Sequence, residues 1–508
     1  MGTKNFSNAN DLITFSRSSA GTALRKIAYG SELVTNGDFD TDISGWTTQA
    51  GGSTFTVSSG QLTISRSAVD PGYVYQTIST TAGNVYYVTF GVIDNGPIDL
   101  RVGTSPAGLQ ITSSGIKSSA GTYTLAFVAT GASTYISLVN TSYSTDVTVD
   151  NISVKEVLFD QGDLTLFNHP AGIPRIEYDA DGNVLGLLVE ESRTNLVTYS
   201  EDFTQPVWAK SAAGTGSIPV VTSNYAVAPD GTNSASRIQM NAGSGTTSGD
   251  YSLMRFTVSS APTTLINSLW IKSNTESSQT VKLSYGASDA VHTATTEWQR
   301  FDIVSGNPNF ADVVIRGDQT VSSVDLLIWG YQAEAGDFPT SYIPTNGATA
   351  TRSADAASIP VSAFGYNQSE GTLFVEFDSN GSDGADYPQA VAIIGSASTD
   401  VARIGFNQTN TAQFVVSTQS GGNQAVLNNG TYTPKSPVKF AGGFEEDNFA
   451  SSMNGSAAAT DVSGSVPSNL ETMGIGKWAT GNYLNGHIKS IKYYPRRLSN
   501  AQLVELTS

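Results

Sequence analysis

Three histidines, His169, His292 and His487, are the side chains of this chain best suited to acid–base catalysis or metal binding near neutral pH. They fall in three widely separated segments, so their placement predicts neither a zinc site nor a histidine-based catalytic triad. The sequence also lacks the GxSxG, HExxH and GxxxxGK(S/T) motifs. We therefore expect each histidine to lie at a surface or an interface, and we expect the protein not to be an enzyme.

Paired carboxylates are the next candidates, because glycoside hydrolysis needs two of them flanking the bond that breaks. Glu190 and Glu191 are adjacent in an expected strand, where neighbouring side chains point to opposite faces. Glu445 and Glu446 lie in an expected loop, GFEEDN. The sequence therefore predicts solvated charge at both pairs rather than a catalytic site.

The acidic stretch DSNGSDGADYP carries oxygen ligands at a spacing that a calcium loop can use, although it is not an EF-hand. These residues are Asp378, Asn380, Asp383 and Asp386. Such short patterns are weak evidence by themselves, so a flexible acidic loop is the favoured interpretation.

Sugar recognition requires aromatic rings beside hydrogen-bonding groups. The aromatic candidates are Tyr73, Tyr75 and Tyr143 in the first repeated domain described below, and Tyr387 and Trp478 near the end of the chain. Tyrosine is also a common strand residue, so a structural role is the alternative for each.

The composition indicates which elements hold these residues. With 50 glycines and only 14% charged residues, the chain is typical of many short strands joined by tight turns. Its 508 residues exceed the ~250 to 300 at which a single core stops growing, so three or four domains are expected. The net charge of −18 disfavours nucleic acid and anionic membranes as partners. There is no cysteine, no secretory signal and no apolar stretch long enough for membrane insertion, so we expect synthesis in the cytoplasm.

A repeated pattern organises the first two thirds of the chain. ELVTNGDFDTDISGW at residues 32–46 corresponds to NLVTYSEDFTQPVW at residues 195–208, with Phe39 and Trp46 matching Phe203 and Trp208. Similar strands follow in the same order, which predicts two copies of one domain. In both copies we expect the phenylalanine and the tryptophan to belong to the core.

The hydrophobic period within each copy is two. In GTYTLAFVAT, for example, Tyr123, Leu125 and Phe127 share one face. Several short strands of this kind, with Gly, Asn and Asp turns between them, predict an antiparallel β-sandwich. In DVTVDNISV the apolar phase shifts between Val149 and Ile152, which predicts a β-bulge or a bend.

NGDFDTDISGW, together with the closing VTVDNISVKE, resembles the carbohydrate-binding modules that accompany xylanases and cellulases. The resemblance implies a jelly roll whose opening and closing strands share a structural calcium ion. Carried over to this chain, the calcium ligands would be Asp38 or Asp40 and Asp150. The second copy has Trp329 near the position of Asp150, so calcium is not expected there.

The stretches TFSRSS, PRIEYDADGNVLGLLVEE and SYIPTNGATATRSAD resemble a block found in tailed-phage virion proteins, particularly tail and receptor-binding components. In those proteins the first two stretches follow each other closely, whereas a whole domain separates them here. The first sandwich is therefore expected to be an insertion, which exposed loops tolerate. DADGN predicts a hairpin turn. The resemblance implies other virion proteins as partners, and a homotrimer.

A third domain begins after Gly365, and its ending, GHIKSIKYYPRRLSNAQLVEL, resembles concanavalin A-like or laminin-G-like sandwiches. In these sandwiches a short helix follows the last strand. Ser499 is the predicted N-cap of that helix, with Leu503 and Leu506 turned inward.

The predicted fold is all-β, with three antiparallel sandwiches in series, two jelly-roll-like and one concanavalin A-like, and little helix. The predicted segments are an N-terminal phage-block segment (1–31), the inserted jelly roll (32–157), a β-hairpin connector (158–194), the second sandwich (195–345), a linker (346–364) and the concanavalin A-like sandwich (365–508). The predicted function is a non-enzymatic virion protein of a tailed phage that binds host surface glycans. The alternatives are a structural or decoration protein without glycan binding, and a polysaccharide depolymerase.

Overall fold

The computed structural model describes residues 13–49, 52–66, 72–283, 291–305, 307–318, 322–381, 386–396, 399–478 and 481–508. The start of the predicted N-terminal segment and Asp383 of the acidic stretch lie outside these residues. The described chain forms two compact units, one of residues 25–164 and one of residues up to 24 together with 165–508. No helix among the described residues has the length and apolar character needed to cross a membrane.

Nearly all of the regular secondary structure in the described residues consists of antiparallel strands. In the first part of the chain these are β1 Thr14–Ser16, β2 Gly21–Glu32, β3 Thr47–Gln49, β4 Thr54–Ser58, β5 Gln61–Ser65, β6 Tyr73–Ser79, β7 Val85–Val92, β8 Ile98–Gly103, β9 Thr112–Ser113, β10 Gly121–Val128, β11 Ser133–Asn140, β12 Val147–Phe159 and β13 Asp163–His169. Next come β14 Ile176–Tyr178, β15 Val184–Val189, β16 Arg193–Asn195, β17 Trp208–Ala213, β18 Ser217–Ala226, β19 Ala235–Asn241, β20 Tyr251–Thr257, β21 Leu265–Ser273, β22 Gln279–Lys282, β23 Val291–Ala294, β24 Gln299–Val304, β25 Phe310–Arg316 and β26 Ser323–Ala335. The last part contains β27 Ala350–Arg352, β28 Ala356–Pro360, β29 Glu370–Phe377, β30 Gln389–Gly395, β31 Val401–Phe406, β32 Thr411–Thr418, β33 Gly422–Thr431, β34 Val438–Glu445, β35 Phe449–Met453, β36 Ala459–Asp461, β37 Leu470–Ile475, β38 Gly486–Tyr494 and the helix α1 Asn500–Thr507.

The unit of residues 25–164 is the first sandwich. One sheet has the order β10–β7–β12–β2, with β5 and then β4 added beside β12, and the other has the order β3–β6–β11–β8–β9. Strand β12 carries the predicted bulge, since its register with β7 shifts between Asp150 and Ser153 and Asn151 has a φ of 56°. The phase shift seen in the sequence is therefore confirmed as a change in which side chains face the core.

The second sandwich consists of two five-stranded sheets, β17–β20–β25–β22–β23 and β18–β19–β26–β21–β24. Its opening aromatics are buried as predicted, and they repeat an arrangement of the first sandwich. The ring centroids of Phe203 and Trp208 are 5.2 Å apart, and those of Phe39 and Trp46 are 5.6 Å apart. Both indoles also donate a hydrogen bond to a backbone carbonyl ten or nine residues earlier. Phenylalanine and tryptophan thus recur because each pair packs together in the core of its sandwich.

The third sandwich has two seven-stranded sheets, β1–β28–β37–β30–β31–β32–β33 and β14–β15–β38–β29–β34–β35–β36. Strands distant in sequence complete it: β1 pairs with β28 at one sheet edge, and the β14–β15 hairpin extends the other sheet through β38. The expected connector and linker therefore supply strands to this sandwich. Helix α1 begins as predicted, with Ser499 and Gln502 forming a capping box, and Leu503 is buried.

A buried ionic cluster joins the segments that resemble the phage block. Arg175 contacts Asp355 at 2.5 Å and Glu190 at 2.9 Å, Arg17 contacts Asp355 at 3.1 Å, and Arg352 contacts Glu190 at 3.4 Å. Burial alone would raise the pKa of Glu190, but the charges of Arg352 and Arg175 outweigh it and hold that pKa well below its usual range.

The predicted solvation of Glu190 is therefore wrong. Only Glu191 faces outward, where it pairs with Arg193. Because neighbouring side chains of a strand point to opposite faces, one of the two carboxylates, that of Glu190, points into the interior.

The surface or interface position expected for each histidine is wrong for His169. The side chain of His169 is fully buried. His487 lies between Asp378 and Glu177, with ring nitrogens 2.8 Å from an oxygen of each. Burial lowers the pKa of His487, but hydrogen bonds to Asp378 and Glu177 raise it to about 10. A protonated His487 therefore bridges the hairpin β14–β15 to the third sandwich.

Candidate binding faces

A row of three tyrosines lies on the outer face of the five-stranded sheet of the first sandwich. Alternation along β6 sends Val74 and Ile78 into the core and leaves Tyr73 and Tyr75 on the other face. Tyr135 of β11 completes the row, with ring centroids 6.2 Å apart between Tyr73 and Tyr75 and 5.8 Å apart between Tyr75 and Tyr135. We call Tyr73, Tyr75 and Tyr135 the tyrosine face.

Polar groups stand beside this row. Ser137 of β11 is paired with Tyr75 on one side and with Arg101 of β8 on the other. The Nε of Arg101 donates to Asp99 at 2.9 Å, and the loop after β8 covers Ser137, whose Oγ accepts a hydrogen bond from the backbone N of Ala107 at 2.9 Å. All three tyrosines are half-buried, and no hydrogen bond to their phenol oxygens is seen among the described residues. The face therefore combines flat apolar surface with the hydroxyl groups of the tyrosines, while Ser137 and Asp99 are buried in the neighbouring strands.

Tyr135 was not predicted as a site residue. The signal was available, because TYISLVN alternates and places Tyr135 on the face opposite Ile136. Only the pairing of β11 with β6, which brings it beside Tyr75, could identify it as part of the same row. Tyr143 was predicted but lies in the loop after β11, where it is 60% exposed and its ring lies 3.9 Å from the Cζ of Arg66.

A groove of about 320 Å³ crosses the outer face of the third sandwich. Its central row is Arg403 of β31, Val415 of β32 and Val426 of β33, which are aligned by the strand register. The inward neighbours Ala402 and Ile404 belong to the core, so alternation places Arg403 outward. The rim consists of Tyr387, Asn407, Gln408, Thr409, Gln413 and Asn423. We call this site the Arg403 groove.

The two aromatic candidates of the third sandwich both lie close to Arg403. Tyr387 lines the groove and is 37% exposed. The Cζ of Arg403 is 5.0 Å from the centroid of the Trp478 ring, so Trp478 packs on the guanidinium rather than lining the groove itself. The structure therefore brings Tyr387 and Trp478 to one place through a residue that the sequence did not single out.

The carboxylates expected to bind calcium lie near one another. The turn at Asn36–Asp40 reaches the bulge of β12, where Ile152 N donates to Gly37 O at 2.8 Å. Burial raises the pKa of Asp150, and the negative charges of Asp38 and Asp40 raise it further. Within the described residues, however, no three His, Cys, Asp or Glu side chains form a group that could hold a metal ion. Calcium here would need backbone oxygens as well, and it stays a prediction.

The second acidic stretch has its side chains engaged elsewhere. Both carboxylate oxygens of Asp378 lie within 3.1 Å of the Nδ1 of His487. The amide of Asn380 donates to the carbonyl of Asn485 at 3.0 Å. These contacts tie Asp378 and Asn380 to β38 and to the residue before it.

Comparison with known proteins gives limited matches. Residues 27–155 match the family described as "Protein of unknown function (DUF642)". No curated protein was found to match the sequence. Similar solved structures include the CBM40 of the Ruminococcus gnavus IT-sialidase, at 13% identity over 28% of this chain and 84% of that one, with a TM-score of 0.24.

Two further structures are similar to longer parts of the chain. The CBM22 tandem from Paenibacillus barcinonensis has 12% identity, covers 60% of this chain and 98% of its own, and gives a TM-score of 0.20. Domains LG4-5 of the mouse laminin alpha1 chain have 8% identity, cover 49% and 87%, and give a TM-score of 0.22. These similarities are weak, so the function proposed below rests on the residues of the two faces.

Proposed function

We propose that this chain is a non-enzymatic glycan-binding protein of a tailed-phage virion and that the tyrosine face binds the glycan. The observation that carries the proposal is the row of Tyr73, Tyr75 and Tyr135, whose rings lie next to one another on one face of the sheet. Sugar rings present apolar C–H faces between hydroxyl groups, which matches rings that alternate with hydrogen-bonding groups. The proposed partners are a host surface glycan and other virion proteins, with a homotrimer as the assembly.

Weak binding at one face is sufficient for such a role. One open face of three half-buried rings is expected to give modest affinity for a sugar. Several copies held on one particle raise the effective affinity by ~10²- to 10⁴-fold without new contacts. The virion location is supported by the sequence resemblance alone, and the cluster of Arg17, Arg175 and Asp355 supplies a physical reason for those segments to stay together.

Substitution of the tyrosine face tests the proposal. The double variant Tyr75→Ala and Tyr135→Ala should lose at least tenfold in affinity for host glycans on an array, because two stacking surfaces are removed. The matched control is Tyr29→Ala with Tyr87→Ala, a tyrosine pair on the other sheet of the same sandwich with ring centroids 5.4 Å apart. The control should bind normally, and equal losses in both variants would contradict the proposal.

The depolymerase alternative is tested with the same preparation. Incubation with host polysaccharide should release no reducing ends, because we propose binding without hydrolysis. Release of reducing ends by the wild type would replace the proposal with an enzymatic function.

A further inference from the structure

The Arg403 groove contains a positive charge that the described chain does not neutralise. The Nε and Nη1 of Arg403 are buried and have no hydrogen-bond partner among the described residues. Elsewhere in the same unit, buried arginines such as Arg175 and Arg17 are each paired with a carboxylate. Burial lowers the pKa of Arg403 to about 10, and the nearby Tyr387 raises it only in part. This guanidinium has lost much of its hydration without gaining an acceptor.

We propose that the Arg403 groove binds an acidic saccharide, with the anionic oxygen group of the sugar paired to Arg403. The inference rests on the proposed function in taking the ligand to be a saccharide. The anionic group itself is assigned from the unpaired charge.

The rest of the groove fits one acidic sugar unit. None of its lining residues carries a negative charge, although the whole chain has a net charge of −18. The floor is apolar, because Val415 and Val426 lie in register beside Arg403. The rim is made of neutral amides and hydroxyls, including Gln413 and Asn423, which suit sugar hydroxyl groups. At about 320 Å³ the groove is at the lower end of the ~300 to 1,000 Å³ of small-ligand sites.

Trp478 packs against the Arg403 guanidinium and orients it for binding an anionic group. Its ring packs 5.0 Å from the Cζ of Arg403, so the cation is oriented before a ligand arrives. Pre-orientation lowers the entropy cost of binding. A polyanion such as nucleic acid is disfavoured, because the negative charge of the chain repels it and only one cation lines the groove.

Calorimetric titration of the full chain with three probes tests the proposal. The probes are trigalacturonate, its fully methyl-esterified form, and a sulfated trisaccharide. The ester keeps the sugar and removes the charge, so the wild type should bind trigalacturonate or the sulfated probe at least tenfold more tightly than the ester. The sulfated probe shows whether carboxylate or sulfate is the preferred anion. Equal binding of the ester, or no binding of either anionic probe, would overturn the inference.

Variants assign that binding to the groove. Arg403→Gln should lose at least tenfold in affinity for the anionic probe, and Arg403→Lys should lose less because it keeps the charge. Arg237→Gln is the matched control, since Arg237 is an arginine of the second sandwich that pairs with Asp325. It should bind as the wild type does. An unchanged affinity in Arg403→Gln would reject the site.

A second variant keeps the test valid if Arg403→Gln folds poorly. Val426 is 40% exposed on the groove floor, so Val426→Asp places a carboxylate near Arg403 without disturbing the core. It should abolish binding of the anionic probe and leave the thermal midpoint unchanged. The tyrosine-face variant should keep this binding, so failure of the proposed function and failure of this inference are distinguishable.

Discussion

Burial raises the pKa of Asp150, and the nearby negative charges of Asp38 and Asp40 raise it further. A calcium ion at this place would relieve that repulsion and would stabilise only the folded state. We expect chelator to lower the thermal midpoint of the first sandwich in the wild type. The variant Asp150→Asn should have a lower midpoint and no response to chelator. A wild-type midpoint that is unchanged in chelator would contradict the calcium prediction.

Glu201 gives the chain a pH dependence in the second sandwich. Burial, together with the charge of Asp230, raises its pKa to about 7, although Tyr342 donates a hydrogen bond to it at 2.8 Å. Because the folded pKa lies above the ordinary value near 4.5, the folded state keeps a proton that the unfolded state loses first. Stability should therefore fall as the pH rises from about 5 through 7, by at most about 3 kcal/mol.

The variant Glu201→Gln isolates this effect. It should remove most of the fall in thermal midpoint between pH 5 and pH 8 and should be more stable than the wild type at pH 8. The control is Glu446→Gln, an exposed residue whose substitution should leave the pH profile as in the wild type. A profile in Glu201→Gln that matches the wild type would show that another group titrates.

At the scale of elements, the two adjacent glutamates that follow β15 have different surroundings. Glu190 is buried, whereas the side chain of Glu191 is partly exposed. Glu190 accepts hydrogen bonds from the backbone and side chain of Ser341 and faces two arginines. Glu190→Gln should cost about 3 kcal/mol or more in the free energy of unfolding, because two buried guanidinium groups lose their counter-charge. Glu191→Gln should cost less than about 1 kcal/mol. Urea denaturation of both variants measures the difference, and similar costs would contradict a structural role for the cluster.

The same elements show what the sequence could and could not predict. Period-two alternation and turn residues predict β29 and the hairpin β14–β15 from local patterns alone, whereas β28 lies in the segment that was predicted to be a linker. Nothing local indicates that β14–β15 and β1 complete the third sandwich, because their partners β38 and β28 lie hundreds of residues away. The candidate sites follow the same rule: Tyr73 and Tyr75 share a strand and are predictable, whereas Tyr135 and Arg403 join their faces only through strand pairing.

At the scale of the whole molecule, the unit of residues 25–164 has the properties of an insertion. Its ends are strands that pair with each other, with Ile27 opposite Phe159, so the chain enters and leaves within about 5 Å. Arg25 and Asp160 close this junction with two hydrogen bonds of 3.0 and 2.9 Å. The unit also has its own core, which includes Phe39, Trp46 and Phe90.

The remaining unit also binds both flanking segments through its own residues. Leu24 N donates to Glu177 at 3.3 Å, and Leu166 N donates to the carbonyl of Pro229 at 3.1 Å. Replacing residues 25–164 by a short linker should therefore leave a chain that unfolds in a cooperative transition with a thermal midpoint close to that of the same unit in the full protein. Calorimetry of the shortened chain, with the excised unit measured alongside, checks this expectation.

Deletion of the second sandwich provides the control for that experiment. It has the same sandwich architecture, but its removal takes away Ser341, whose backbone and hydroxyl both bind Glu190 within the buried ionic cluster. A chain without residues 195–345 should therefore aggregate, because Glu190 and Arg175 lose Ser341 as a partner and water cannot replace it in the interior. Aggregation of the chain without residues 25–164 instead would show that the first sandwich is part of the frame.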